Sequence, residues 1–167
     1  MAQKPIQLVN GELQEVEASD TSAGAADAGK VPALNAAGKI DDTLLPDGVG
    51  ADAITGTASG AISAGKLINI FDDGGTRSFR VADASNGREA HAFANDPIAD
   101  AASGSVLKEG TMAGLTGLTI GGPVYLGTNG DVTQTAPTTS GHISQRVGIA
   151  VSATEVDFEK ARKVTLA

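Results

Sequence analysis

The stretch closest to a nucleotide-binding signature is Gly60-Ala61-Ile62-Ser63-Ala64-Gly65-Lys66-Leu67, with a Gly-x4-Gly-Lys spacing. A phosphate-binding loop needs Ser or Thr after the lysine, to reach magnesium, and a helix whose N-terminus faces the phosphates. Here Leu67 stands in the hydroxyl position and a strand-like run follows, so the spacing reads as a turn between strands. His91 and His142 are the only histidines. A zinc site would need carboxylates for its other ligands, and no pair stands at helical metal spacing. Asp72-Asp73-Gly74-Gly75 and Asp41-Asp42 bring carboxylates together but lack the alternating ligands and final Glu of a calcium loop. Asp and Gly favour turns without any metal. No Gly-x-Ser-x-Gly elbow occurs. His142-Ile143-Ser144 is adjacency in sequence, which does not make a triad. Paired carboxylates for glycoside cleavage stay open on sequence grounds, as the lowest-ranked reading of a sugar-processing β domain, because the aromatic platforms that saccharide sites use are scarce. Arg77, Arg80 and Arg88 form the densest basic stretch. Arg77 and Arg80 fall on opposite faces of one strand, and the only aromatic between them, Phe79, faces the core, which is poor material for base stacking. The reading is a chain with no enzymatic activity, no cofactor, no metal and no nucleic-acid partner.

Bulk properties point the same way. The chain has 167 residues, enough for one domain with an appendage, and a formal charge of −8. An acidic surface argues against a phosphate backbone but not against a basic protein surface. Cysteine is absent, so neither a disulfide framework nor a thiolate metal site is available. The absence is compatible with synthesis in a reducing cytoplasm. No apolar run is long enough for a transmembrane helix, and Met1-Ala2-Gln3-Lys4-Pro5 lacks the apolar region of a secretory signal. Aromatics make up 3% of the chain, while Gly, Ala, Ser and Thr abound, which suits short strands and thin packing layers.

Two regions differ. Residues 1–52 hold no aromatic residue and carry three Lys against nine Asp or Glu, a net −6. Residues 53–167 hold all five aromatics (Phe71, Phe79, Phe93, Tyr125, Phe158) and carry nine Lys or Arg against eleven Asp or Glu, a net −2. A segment with so little apolar area cannot offset its ordering entropy alone. Residues 1–52 therefore read as an extended attachment arm, and 53–167 as a β-rich body. Within the arm, Asn10-Gly11 between β-prone runs predicts a hairpin over 5–16 with a type I′ turn. Residues 18–30 read as a linker, because two glycines weaken an Ala-rich helix there.

The body reads as β throughout. Strands are expected at 53–58, 66–71, 77–82, 89–94, 104–108, 123–126, 131–134, 145–151 and 163–166, with the best helix candidate at 154–162. Turns stand out at Asp72-Asp73-Gly74-Gly75, Asn86-Gly87 and Asn129-Gly130. Short strands at this spacing predict an all-β fold, a compact antiparallel β-sandwich or small β-barrel following the extended N-terminal arm. A faint internal echo sets Ile62-Ser63-Ala64-Gly65 and its strand beside Leu118-Thr119-Ile120-Gly121 and its strand.

Two sets of residues carry a resemblance. Gly38-Lys39-Ile40-Asp41-Asp42-Thr43-Leu44-Leu45-Pro46-Asp47-Gly48-Val49-Gly50, preceded by Val31-Pro32-Ala33-Leu34-Asn35, resembles a linker of bacteriophage head-decoration, head-fibre and tail-fibre proteins. Ala61 to Ile70, Ala82-Asp83-Ala84-Ser85-Asn86, Glu89-Ala90-His91-Ala92-Phe93, Gly114 to Thr119, Thr135-Ala136-Pro137-Thr138 and Gln145 to Ser152 are similar to one small β domain of those proteins. The resemblance implies a virion structural protein, a homotrimer, and no catalytic residues. The absence of fibre repeats and of a receptor-binding tip tilts the expectation to capsid decoration (cement or head fibre), made in the host cytoplasm and placed on the capsid surface. Its partners would be the major capsid protein and its own copies, with no nucleic acid and no membrane. The alternative is a tail-fibre or baseplate protein contacting a host receptor. The arm's apolar residues Val31, Leu34, Ile40, Leu44 and Leu45, together with Pro46, are the expected capsid or trimer contacts. Leu44 and Leu45 are large aliphatics in a segment of small residues, and Pro46 biases Leu45 toward extended geometry.

Overall fold

The computed structural model describes residues 4–45 and 52–167. They fall in two units, Met1–Gly50 and Ala51–Ala167. Asp52 goes with the second unit: its carbonyl accepts from the Lys108 N–H at 2.8 Å, and its carboxylate lies 2.7 Å from the Lys108 ammonium. The fold is all-β. Helical turns among the described residues are confined to short 3-10 segments at Gly24–Asp27, Asp42–Leu44 and Ala84–Asn86. No helix among them is long and apolar enough to cross a membrane.

In the first unit, β1 (Ile6–Val9) and β2 (Glu12–Glu15) form the expected hairpin. Asn10 and Gly11 take φ of 53° and 88°, the left-handed pair that a type I′ turn requires. The expected linker has more order than its composition announced. β3 (Ala18–Ser19) pairs in parallel with β4 (Val31–Pro32), closing residues 18–32 on themselves around the first 3-10 turn. Every described side chain of this unit is exposed or half-buried; none is buried.

The second unit has two cores. β5 (Ala53–Ala58), β6 (Lys66–Asp73), β7 (Thr76–Val81), β8 (Ala92–Ala94) and β9 (Ser103–Leu107) close a barrel in the order β5-β7-β6-β8-β9. Four seams are antiparallel, and β5 runs parallel to β7. The expected small, antiparallel β-barrel is present, with one seam parallel for a geometric reason: strand directions cannot alternate around a ring of five. β10 (Gly110–Met112), β11 (Pro123–Leu126), β12 (Val132–Thr133), β14 (Arg146–Ala150) and β15 (Val156–Phe158) build a second sheet, while β13 (Ile143–Ser144) pairs with β16 (Val164–Thr165).

The period-two alternation of β6 and β8 divides the cores. Ile68, Ala92 and Ala94 point into the barrel with Phe79, Ile62, Ile98 and Val106. Leu67 and Phe93 point the other way, into a core shared with Met112, Leu126, Val147, Val156 and Phe158 of the second sheet. The barrel interior is narrow enough to exclude a methyl group at two facing positions. A Cβ on Gly56 would stand 2.7 Å from the Phe79 ring, and one on its cross-strand partner Gly104 2.6 Å from Ile98. Buried Gln145 ties the chain's last segment to the body, accepting from Ala90 N–H at 2.7 Å and donating to the Ala90 and Ala161 carbonyls at 3.0 and 3.1 Å.

The helix candidate at 154–162, with turn as its alternative, forms no helix: Val156–Phe158 is a strand and the residues on either side are irregular. Val156 and Phe158 are buried and Asp157 is exposed, a period of two, and the segment pairs with β10 and β14. The expected strand at 145–151 is interrupted at Gln145, and the one at 89–94 begins only at Ala92. In the internal echo, Gly65 and Gly121 both take positive φ, 73° and 78°, just before strands β6 and β11.

Candidate functional site

Several of the residues that looked able to do chemistry make contacts that hold the fold. Lys66 of the phosphate-loop-like spacing enters a strand, and its ammonium bonds the Asp131 carboxylate at 2.6 Å and the Asn129 carbonyl at 3.1 Å. Asp72 caps its own turn by accepting from the Gly75 N–H at 2.9 Å. His91 Nδ1 accepts from the Ile70 N–H at 3.0 Å, and its Nε2 lies 3.4 Å from Glu89, which also sits 3.4 Å from Lys163. Arg77 donates to the Thr55 carbonyl at 3.2 Å. Arg80 lies 4.3 Å over the Phe71 ring and donates to Asn69 at 2.9 Å. No group of three or more His, Asp or Glu among the described residues is placed to hold a metal ion. A depression of about 280 Å³ lies between Gly65, Lys66, Gly114, Leu115 and Asp131, and the Lys66–Asp131 ion pair occupies its polar side.

What remains unexplained by the fold is exposed apolar surface. In a hairpin, residues directly opposite each other share a face. The register Ile6↔Glu15 and Leu8↔Leu13 therefore sets Ile6, Leu8 and Leu13 on one face of β1–β2, beside Glu15. Their exposures are 68%, 65% and 77%. The other face carries Gln7, Val9, Glu12 and Gln14. This triad lies outside the contact set read from the sequence, although the Asn10-Gly11 turn already dictates its register.

Of that set, Leu34 and Ile40 are exposed at 60% and 54%. They flank a closed turn in which Asn35 N–H donates to the Lys39 carbonyl at 2.8 Å, while the Asn35 side-chain oxygen accepts from Ala37 and Lys39 N–H at 3.0 and 3.1 Å. Val31, Leu44 and Leu45 are half-buried, and Pro46 lies outside the described residues. On the body, Ile149 and Val151 alternate with buried Ala150, and Ile120 is close by through the Gly121 N–H to Ala150 carbonyl bond; these three form a second exposed apolar patch.

No family model matches the chain, and no curated protein matches it in sequence. Among solved structures it is similar to the head fiber gp8.5 N base of bacteriophage phi29. The identity is 13% and the TM-score 0.45, over 66% of this chain and 97% of that one. A likeness this loose fixes neither family nor function.

Two carboxylates hold the first unit's turns. Asp41 accepts from the Thr43 hydroxyl at 2.7 Å and the Thr43 N–H at 3.1 Å, and these bonds hold its pKa below the usual 3.8. The Thr43 hydroxyl in turn accepts from the Ser22 N–H at 2.8 Å, joining two distant parts of the unit. Asp27 is lowered from the same value by the Ala23 N–H and then by Lys30. A carboxylate whose pKa is depressed by folding contributes fully above its unfolded value and loses that contribution as pH falls through its folded value. In an NMR acid titration the Thr43 and Ala23 amide resonances should therefore move with midpoints below 3.8. Midpoints at or above that value would mean the two turns are not formed in solution.

Proposed function

We propose that this chain is a non-enzymatic structural protein of a phage virion, which decorates the capsid shell and attaches through its N-terminal unit. One observation carries the reading. A unit with no buried described residue, rich in acid and in exposed aliphatic side chains, is joined to a body that has two cores of its own. The first unit gains its burial from a partner and the second needs none. The similarity of the 31–50 stretch and of the body segments to phage decoration and fibre proteins supports the same assignment. The expected partner is the major capsid protein, with Val31, Leu34, Ile40, Leu44, Leu45 and Pro46 among the arm's contacts. A homotrimer is part of the proposal, and the Ile120, Ile149 and Val151 patch offers apolar area for subunit contact. Repeated display on a lattice would add avidity to individually modest contacts.

Quantitative mass spectrometry of purified virions tests this. A copy number that scales with the shell protein, and density for the body over the capsid, is the expected result. A copy number set by the tail would move the protein to the tail-fibre or baseplate alternative. Absence from virions would end the reading.

A further inference from the structure

The apolar face of the β1–β2 hairpin has no partner within the described chain, and three large aliphatics at about two-thirds exposure or more are unusual on a ribbon this small. Building on the virion reading, we infer that Ile6, Leu8 and Leu13 are the arm's principal anchor, and that they seat in an apolar groove of the shell protein bordered by Lys or Arg.

The pattern on the hairpin argues for docking by this face. Pro5, Val9 and Val16 on the opposite face are half-buried, while the triad is turned out. An isolated two-stranded hairpin is marginal in water, so apolar side chains left on its open face favour its ordering against another surface. The charge pattern selects a basic partner. Glu15 lies on the triad's face and Glu17 just beyond the second strand; Lys4 is 3.9 Å from Glu15, and both carboxylates stay solvent-exposed. Residues 1–50 carry three Lys against eight Asp or Glu, so a second copy of the same unit would bring like charge to like charge. Area argues against self-pairing as well. A stable dimer needs roughly 800 Å² per partner, and a patch of three aliphatic side chains falls well short of it. A contact of this size works as one anchor among several on a larger surface, where apolar burial sets the dissociation rate and the glutamates set orientation and salt dependence.

The test uses the full chain and capsids purified from phage particles that lack it, with binding read by co-sedimentation across a salt series. Ile6→Ser, Leu8→Ser, Leu13→Ser combined should weaken capsid binding at least tenfold. Glu15→Gln with Glu17→Gln should weaken it less and flatten its salt dependence. Gln7→Ser with Gln14→Ser, on the opposite face, should leave it unchanged. Thermal melting of each variant reports on the body, and an unchanged transition keeps the binding loss assigned to the hairpin. Equal capsid binding by the wild type and the triple serine variant overturns the anchor while leaving the virion reading in place. If the wild type does not bind these capsids, both the attachment reading and the shell-protein groove are wrong. If the triple serine variant sediments as a smaller species than the wild type in the absence of capsids, the face belongs to a second copy and the inference is overturned.

Discussion

A protein lacking residues 1–50 should melt cooperatively and no longer attach to capsids. All the buried residues of both cores lie between Ala58 and Phe158, so the deletion removes no core side chain. It also keeps Asp52, whose carbonyl and carboxylate both engage Lys108 at the edge of the barrel. A cut after residue 52 would remove those bonds and blur the result. What the deletion does remove is most of the chain's net negative charge and the exposed side chains Ile6, Leu8, Leu13, Leu34 and Ile40. Burying even three such residues on a partner would contribute roughly 1.5–3 kcal/mol each. Their joint loss would lower affinity by several decades, at about 1.4 kcal/mol per decade. Calorimetry and capsid co-sedimentation on the same preparation check both halves. Retained binding would place the attachment surface on the body, with the Ile120, Ile149 and Val151 patch as the first place to look.

Replacing Phe93 by Ala should be among the most damaging single changes in the body. Phe93 is fully buried and packs 5.1 Å from Phe158, centroid to centroid, with the rings tilted by 54°. It lies on β8, between the barrel and the second sheet, so the cavity would open in the layer that joins them. Removal of a buried Phe costs about 3–5 kcal/mol, and an aromatic pair adds about 0.5–1.5 kcal/mol to what is lost. Against a domain stability of about 5–15 kcal/mol, this lowers the melting temperature by roughly 10–20 °C. Phe93→Leu keeps most of the volume and should recover much of the loss. A drop of only a few degrees for the alanine variant would show that the two layers do not share a core. The capsid-binding behaviour of folded Phe93→Ala should be unchanged, which separates the body's stability from the arm's attachment.

Much of this protein is written locally. Asn10-Gly11 demanded left-handed backbone at both turn residues, and that turn alone sets Leu8 opposite Leu13. Asp72-Asp73-Gly74-Gly75 similarly turns β6 into β7. Strands at 53–58 and 123–126 end where the alternation and the turn residues said they would, because φ/ψ preference and a period of two act over a few neighbouring positions. The confinement of aromatics to the region beyond residue 70 is also a property of the sequence, and it announces where large cores can form. Tertiary structure decided what depends on residues far apart. Closure of five strands imposed the parallel β5–β7 seam, which no local pattern encodes. The pairing of β15 with β10 and β14 overrode a weak helix signal at 154–162, since burial of Val156 and Phe158 outweighs a few tenths of a kcal/mol of propensity per residue. Gly56 and Gly104 look like ordinary strand glycines until Phe79 and Ile98 are brought against them across the barrel. The exposure of Ile6, Leu8 and Leu13 is of the same kind: register follows from the turn, but which face is left open to solvent is a matter of what else packs there, and burial is a property of the assembled chain.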